Sequence, residues 1–130
     1  MSEDPLKVIK LHYARGRRML EVGFADGMTF ELTAEFLRVH SPSAEVRGHG
    51  PGQETLQSGK SRVSITAIEP VGHYAVQLLF DDGHDSGLFS WSYLRELGEQ
   101  QASLWQAYLD KLSEAGKSRD PEVQVLHFQP

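Results

Sequence analysis

Apolar and polar positions alternate along the first third of the chain, and that alternation predicts strands. Leu6, Val8, Ile9, Leu11 and Tyr13 form a β-prone segment with apolar residues on both faces, a strand covered on both sides for part of its length. After the loop ARGRR, Leu20, Val22 and Phe24 alternate with Glu21 and Gly23, which predicts a second strand with one inner face. Ala25-Asp26-Gly27 then turns the chain, because Gly27 can take positive φ at little steric cost. Thr29, Phe30 and Leu32 return it. Thr33 is placed to cap a short helix, AEFLRVH, whose buried face is Phe36, Leu37 and Val39.

Residues 41–62 break this order. Pro42, Gly48, Gly50, Pro51, Gly52 and Gly59 predict a loop of a length that is uncommon inside a compact domain. Alternation resumes at Val63, Ile65 and Ile68, stops at Glu69-Pro70-Val71-Gly72, and is clearest in Tyr74, Val76, Leu78 and Phe80. Asp82-Gly83 turns that strand and residues 87–89 return it. Ser90 or Ser92 caps a helix carrying Tyr93, Leu94 and Leu97. From Gln100 to Ala115 the period changes to a helical one: Leu104, Trp105, Tyr108, Leu109 and Leu112 make one stripe, and Gly116 ends it. The expected fold is α+β: a small mixed, largely antiparallel sheet with short helices and a C-terminal amphipathic helix. One domain is expected over residues 1–116, followed by a tail, 117–130, whose EVQVLHF would add a strand, dock on the body or stay loose.

Two stretches within this pattern look alike. FADGMTFELTAEFLR (24–38) and FDDGHDSGLFSWSYLR (80–95) superimpose with one extra residue in the second, which can be placed at His84. They read either as pseudo-symmetric halves or as chance reuse of a common Asp-Gly turn. On the second reading Arg38 and Arg95 lie on helix faces, snorkelling outward beside inward aromatic and leucine side chains.

Bulk properties narrow the function class. With 130 residues, 39% hydrophobic and 24% charged, the chain is sized to fold as one domain. No apolar run is long enough to cross a membrane, and MSEDPLKVIK has no signal-peptide pattern. There is no cysteine, hence no disulfide, thiolate metal site or cysteine nucleophile. A cytoplasmic location is the expectation. A net charge of −5 disfavours nucleic-acid binding through phosphates. The cluster Arg15, Arg17 and Arg18 reads as a solvated hairpin loop rather than an anion site.

Candidate chemistry centres on six histidines. His40 and His49 flank the long loop, and His84 sits among Asp81, Asp82 and Asp85, so a metal held by His84 with His40 or His49 and Asp82 is one reading. No HxH or HExxH spacing supports it, and solvated or singly bonded histidines are favoured. His84-Asp85-Ser86 has the residue types of a hydrolase triad, but adjacent turn positions do not present three side chains to one substrate, and no GxSxG occurs. No phosphate loop or dinucleotide fingerprint is present. GHGPG beside Arg47 reads as an Ω-type loop in preference to an anion nest.

Several motifs taken in order, FADG, FELTAEFLRVHSPSAEVRGHGPGQ and FDDGHDSGLFSWSYLREL, resemble a small family of unknown function related to the N-terminal domain of γ-butyrobetaine hydroxylase. The resemblance covers roughly residues 6 to 100. It implies a small α+β unit carrying zinc on three cysteines and a histidine. Those positions fall here at Ser41, Ser43, Val46 and His84, so the resemblance implies the fold and argues against the same zinc site. The iron and 2-oxoglutarate chemistry of the hydroxylase belongs to a separate domain that the expected single domain does not include. Related domains also occur attached to P-loop carriers of iron–sulfur clusters. The leading expectation is therefore a stand-alone, non-enzymatic domain that binds a protein partner, an iron–sulfur or oxygenase protein, with no resident cofactor. Its expected contact surface is residues 41–52 with the His84 turn, and includes Arg47, His49, Arg38 and Arg95. The rival readings are a zinc or iron module on His84, His40, His49 and Asp82, and a small enzyme.

Overall fold

The computed structural model describes residues 4–43, 46, 55–85 and 87–122. Strands β1 (Val8–Ala14), β2 (Met19–Phe24) and β3 (Thr29–Thr33) lead into helix α1 (Ala34–Val39). Strands β4 (Ile65–Val71), β5 (Ala75–Phe80) and β6 (Leu88–Ser90) lead into α2 (Trp91–Glu99), and α3 (Gln101–Ala115) follows. The α+β class and the C-terminal helix are as expected. The strands divide into two sheets, β1-β2-β3 and β4-β5-β6, antiparallel throughout.

The two stretches are copies of one structural unit, as their registers show. Met19 faces Thr33 and Leu20 faces Leu32 in the first sheet, as Ala75 faces Ser90 and Val76 faces Phe89 in the second. The first strand of each sheet carries the same irregularity, between Val8 and Lys10 and between Ile65 and Ala67. Even the turns agree bond for bond. Phe24 N–H donates to Met28 O at 2.8 Å, and Phe80 N–H donates to His84 O at 2.9 Å. Gly27 and Gly83 sit at φ +92° and +89°, the left-handed region where a Cβ is strained. His84 is thus the counterpart of Met28, and the extra residue lies between 84 and 87, not at His84 itself.

Helix caps repeat too. The Thr33 hydroxyl accepts from Phe36 N–H at 3.0 Å, and the Ser90 hydroxyl accepts from Tyr93 N–H at 3.1 Å. Each satisfies an amide that the first helical turn leaves without a partner.

One core joins the units. Leu20, Val22, Phe24, Leu32, Phe36 and Leu37 pack with Ile65, Val76, Leu78, Phe80, Phe89 and Leu94. Alternation predicted the strand residues among them, since a period of two puts those on one face of each sheet, while Phe36, Leu37 and Leu94 come from the inner faces of α1 and α2. Burying a side chain of this size contributes about 2 kcal/mol each. Helix α3 builds a second cluster, in which Tyr108 and Leu112 close over Val39. Its stripe is only partly covered: Leu104, Trp105 and Leu109 are half-buried. Gly116 ends the helix at φ +65°.

Beyond α3 the described part of the tail docks on the body. Gly59 N–H and Ser61 N–H donate to the carbonyls of Ser118 and Arg119. Arg119 stacks over Trp105 at 5.1 Å and grips buried Glu35 through two nitrogens, at 2.8 and 2.6 Å. Most of EVQVLHF lies outside the described residues.

Candidate functional site

The turn after β5 and the chain leaving α1 meet at a buried polar cluster. His84 is 4% exposed, Ser41 0% and Ser43 5%. His84 Nε2 lies 2.8 Å from Ser41 Oγ and 3.3 Å from Ser43 Oγ, so one ring nitrogen serves both hydroxyls. Asp82 Oδ1 accepts from His84 N–H at 3.2 Å and holds the turn that delivers the imidazole. Gly87 packs so closely on Ser41 that a Cβ there would overlap its hydroxyl.

Asp82 also ties this turn to the first unit. Its Oδ2 accepts from Arg38 Nε at 2.9 Å and from Lys60 Nζ at 2.6 Å. Burial pushes the carboxyl up, but the Lys60 hydrogen bond, the His84 N–H and the Arg38 charge outweigh it and bring its pKa down to about 2. The mirrored contact exists in the other direction. Arg95 of α2 holds Asp26 of the first turn at 2.9 Å, and its guanidinium stacks on Phe24 at 5.1 Å.

These contacts correct the expected positions of Arg38 and Arg95. Arg38 is 6% exposed and does not snorkel, because the Asp82 carboxylate compensates its charge inside the fold. The Arg95 side chain is 12% exposed and is held by Asp26 and Glu99. Neither offers a free guanidinium to a partner. Arg47 and His49, with most of the loop 41–52, lie outside the described residues, as does Ser86.

Nor does the structure gather His84, His40 and Asp82 into one ligand set. His40 is turned the other way: its Nδ1–H donates to Phe36 O at 2.9 Å, which leaves Nε2 as an acceptor. Burial, first, and the charge of Lys111 lower its pKa. Asp82 is committed to Arg38 and Lys60. Among the described residues no group of three or more His, Cys, Asp or Glu side chains is placed to hold a metal.

The zinc that the family resemblance implies can be tested on the donors present. Ser41 and Ser43 do stand beside His84, and Val46 is buried with its N–H on Ser43 O at 3.1 Å. A neutral hydroxyl is a poor zinc ligand and a valine side chain is none, so of these four positions His84 alone offers a good donor. These residues do not fit zinc. They form instead a hydrogen-bonded plug that satisfies its own polar atoms. Both serines are buried, and Asp82 accepts from the His84 backbone N–H, so the contact presents no exposed hydroxyl to a substrate. The serine partners of His84, Ser41 and Ser43, were legible only as positions of absent ligands. Glu35, Lys60 and Lys111 carried no sequence signal at all.

Comparison with known proteins agrees with this geometry. A family model described as gamma-butyrobetaine hydroxylase-like, N-terminal, matches residues 11–95. Among solved structures, one determined in solution by NMR is 46% identical, with a TM-score of 0.79 over 95% of this chain and 98% of its own. A second NMR structure is 47% identical, with a TM-score of 0.78 over 99% of this chain and 96% of its own. A crystal structure of a protein of unknown function from Acidithiobacillus ferrooxidans, of the DUF971 family, is 42% identical, with a TM-score of 0.63 over 74% of this chain and 98% of its own. No match is found among curated proteins.

Proposed function

We propose, from the premise that this chain belongs to the gamma-butyrobetaine hydroxylase-like N-terminal family, that it acts as a non-enzymatic accessory domain docking on a protein partner. One comparison carries this reading, and the internal repeat supplies it. On the first sheet the positions pointing away from the core include Lys10, His12, Glu21 and Glu31, and ion pairs lace them: Lys10–Glu21 at 2.9 Å and Arg17–Glu31 at 2.8 Å. The matching positions on the second sheet are Ala67, Glu69, Gln77 and Leu88. Leu88 is 49% exposed, Val71 on the same face 39%, and Tyr74 at the adjoining hairpin 71%.

The same fold unit thus tolerates a charged outer face in one copy and carries a largely uncharged one in the other. Depletion of charge with retained aliphatic and aromatic exposure is the composition of an interface core. The partner class suggested by the family resemblance is an iron–sulfur or oxygenase protein.

Affinity purification from cells that express the protein tests both levels, with wild type, Leu88→Glu and, as the matched control, Glu31→Gln. The expected result is a partner retained by wild type and Glu31→Gln and lost by Leu88→Glu. A partner that survives Leu88→Glu overturns the surface. A partner set with no iron–sulfur or oxygenase protein overturns the finer assignment.

A further inference from the structure

We propose that the cavity between the C-terminal end of α1, residues 55–57 and helix α3 binds a small apolar carboxylate that also carries a hydroxyl or amide N–H. The cavity measures about 380 Å³, at the small end of the range for ligand sites. Val39, Leu56, Leu104 and Tyr108 supply apolar walls, and Ala107 leaves room between them.

Among the described residues few polar groups face this space with capacity to spare. Tyr93 OH donates to His40 O at 2.5 Å, and Tyr108 OH donates to Gln57 O at 2.8 Å, so both phenol protons are committed to backbone. Ser41 Oγ is held by His84 and Gln57 Nε2 donates to Thr55 O at 3.1 Å, which leaves His40 and Lys111, beside the neutral Thr55 hydroxyl, as the groups open to a ligand. His40 donates Nδ1–H to Phe36 O, which fixes the tautomer and leaves Nε2 able only to accept. No hydrogen bond to Nε2 forms among the described residues, so it is open to a donor carried by a ligand. Lys111, exposed on α3, lines the mouth of the same cavity and has no ion-pair partner among the described residues. It calls for an anion, and the apolar walls call for a hydrocarbon body. A hydroxy acid or an N-acyl amino acid meets all three demands. The inference does not depend on the docking face, which lies on the second sheet.

Titration of the full chain, followed by ¹H–¹⁵N spectra, tests the assignment with 3-hydroxyoctanoate, octanoate and octylammonium as probes. The expected result is saturable shifts at the Leu56, Ala107 and Lys111 amides, with 3-hydroxyoctanoate dissociating at or below about 1 mM. Octanoate is expected to bind more weakly and octylammonium not at all. Lys111→Gln, an exposed substitution that leaves the fold intact, is expected to weaken the acid about fivefold. No saturable shift with 3-hydroxyoctanoate, equal binding of the amine, or an unchanged Lys111→Gln overturns the site. Equal affinity for the two acids overturns the role given to His40.

Discussion

Arg38 Nε lies 2.9 Å from Asp82 Oδ2, and this pair bolts the helix of the first unit to the turn of the second. Arg95 and Asp26 repeat the contact in reverse at 2.9 Å. Each arginine follows the aromatic-leucine pair of its own helix, and each aspartate precedes the glycine of the other unit's turn. The duplication therefore closes on itself through two reciprocal ion pairs around the shared core.

The two bolts differ in burial, and so do the expected effects of cutting them. The Arg38 side chain is 7% exposed and its Nη1 is buried without a hydrogen-bond partner among the described residues. Asp82→Ala would strand that charge, and a loss of about 3 kcal/mol is expected from urea unfolding. Asp26→Ala leaves Arg95 with Glu99 at 2.8 Å in a more solvated setting, and a clearly smaller loss is expected. Replacing Arg38 by Met and Asp82 by Leu together should destabilise less than Asp82→Ala alone. Equal effects of the two single substitutions would contradict this picture.

Packing of α2 on the first unit leaves no space at Gly98. A Cβ there would come within 2.5–2.8 Å of the Phe30 ring, which is itself edge-on to Phe24 at 5.9 Å. Gly98→Ala should lower stability by about 1–3 kcal/mol through overpacking, although alanine is the better helix former. Phe30→Leu in the same background should recover part of the loss, as a thermal-denaturation series would show.

Two of the groups that respond to acid do so in separate windows. The folded pKa of His40 lies below its ordinary 6.5, with burial the main cause. The unfolded chain takes up that proton first, so stability is full above 6.5 and declines as pH falls below it. Asp82 acts lower. Its contribution, about 2 kcal/mol, is full above its ordinary 3.8 and is lost as pH falls towards 2. Urea midpoints measured from pH 7 to 2.5 should show both declines. His40→Gln should remove the first and Asp82→Asn the second.

Zinc and its removal should leave the wild-type protein unchanged, because Ser41 and Ser43 complete the His84 cluster without a metal. The melting temperature is expected to be the same with EDTA as with added zinc. His84→Ala should reduce stability by about 2 kcal/mol, since two buried hydroxyls lose their shared partner. Stoichiometric zinc by elemental analysis of untagged protein would refute the plug.

Nearly every element of this fold was readable from local pattern. Alternation marked the strands, because a period of two sorts side chains onto sheet faces whatever the rest of the chain does. Gly27 and Gly83 marked the turns, Thr33 and Ser90 the caps, and Gly116 the end of α3, each through chemistry contained within a few residues. The likeness of the two stretches was also visible, though only the strand registers made it a repeat.

What tertiary structure alone decided is which charges face inward and what meets them. Arg38 and Asp82 stand far apart in the chain, as do Glu35 and Arg119, and no spacing rule links such pairs. The helical face of Arg38 was foreseeable. Its burial was not, because burial depends on a carboxylate arriving from the other unit. His84 shows the same limit: the sequence marked it as the extra residue of a turn, whereas it takes the place of Met28, 45% exposed, and Ser41 and Ser43 draw its ring inside. Local pattern determines where the chain bends and which face is apolar, while long-range contacts determine which polar groups can leave water.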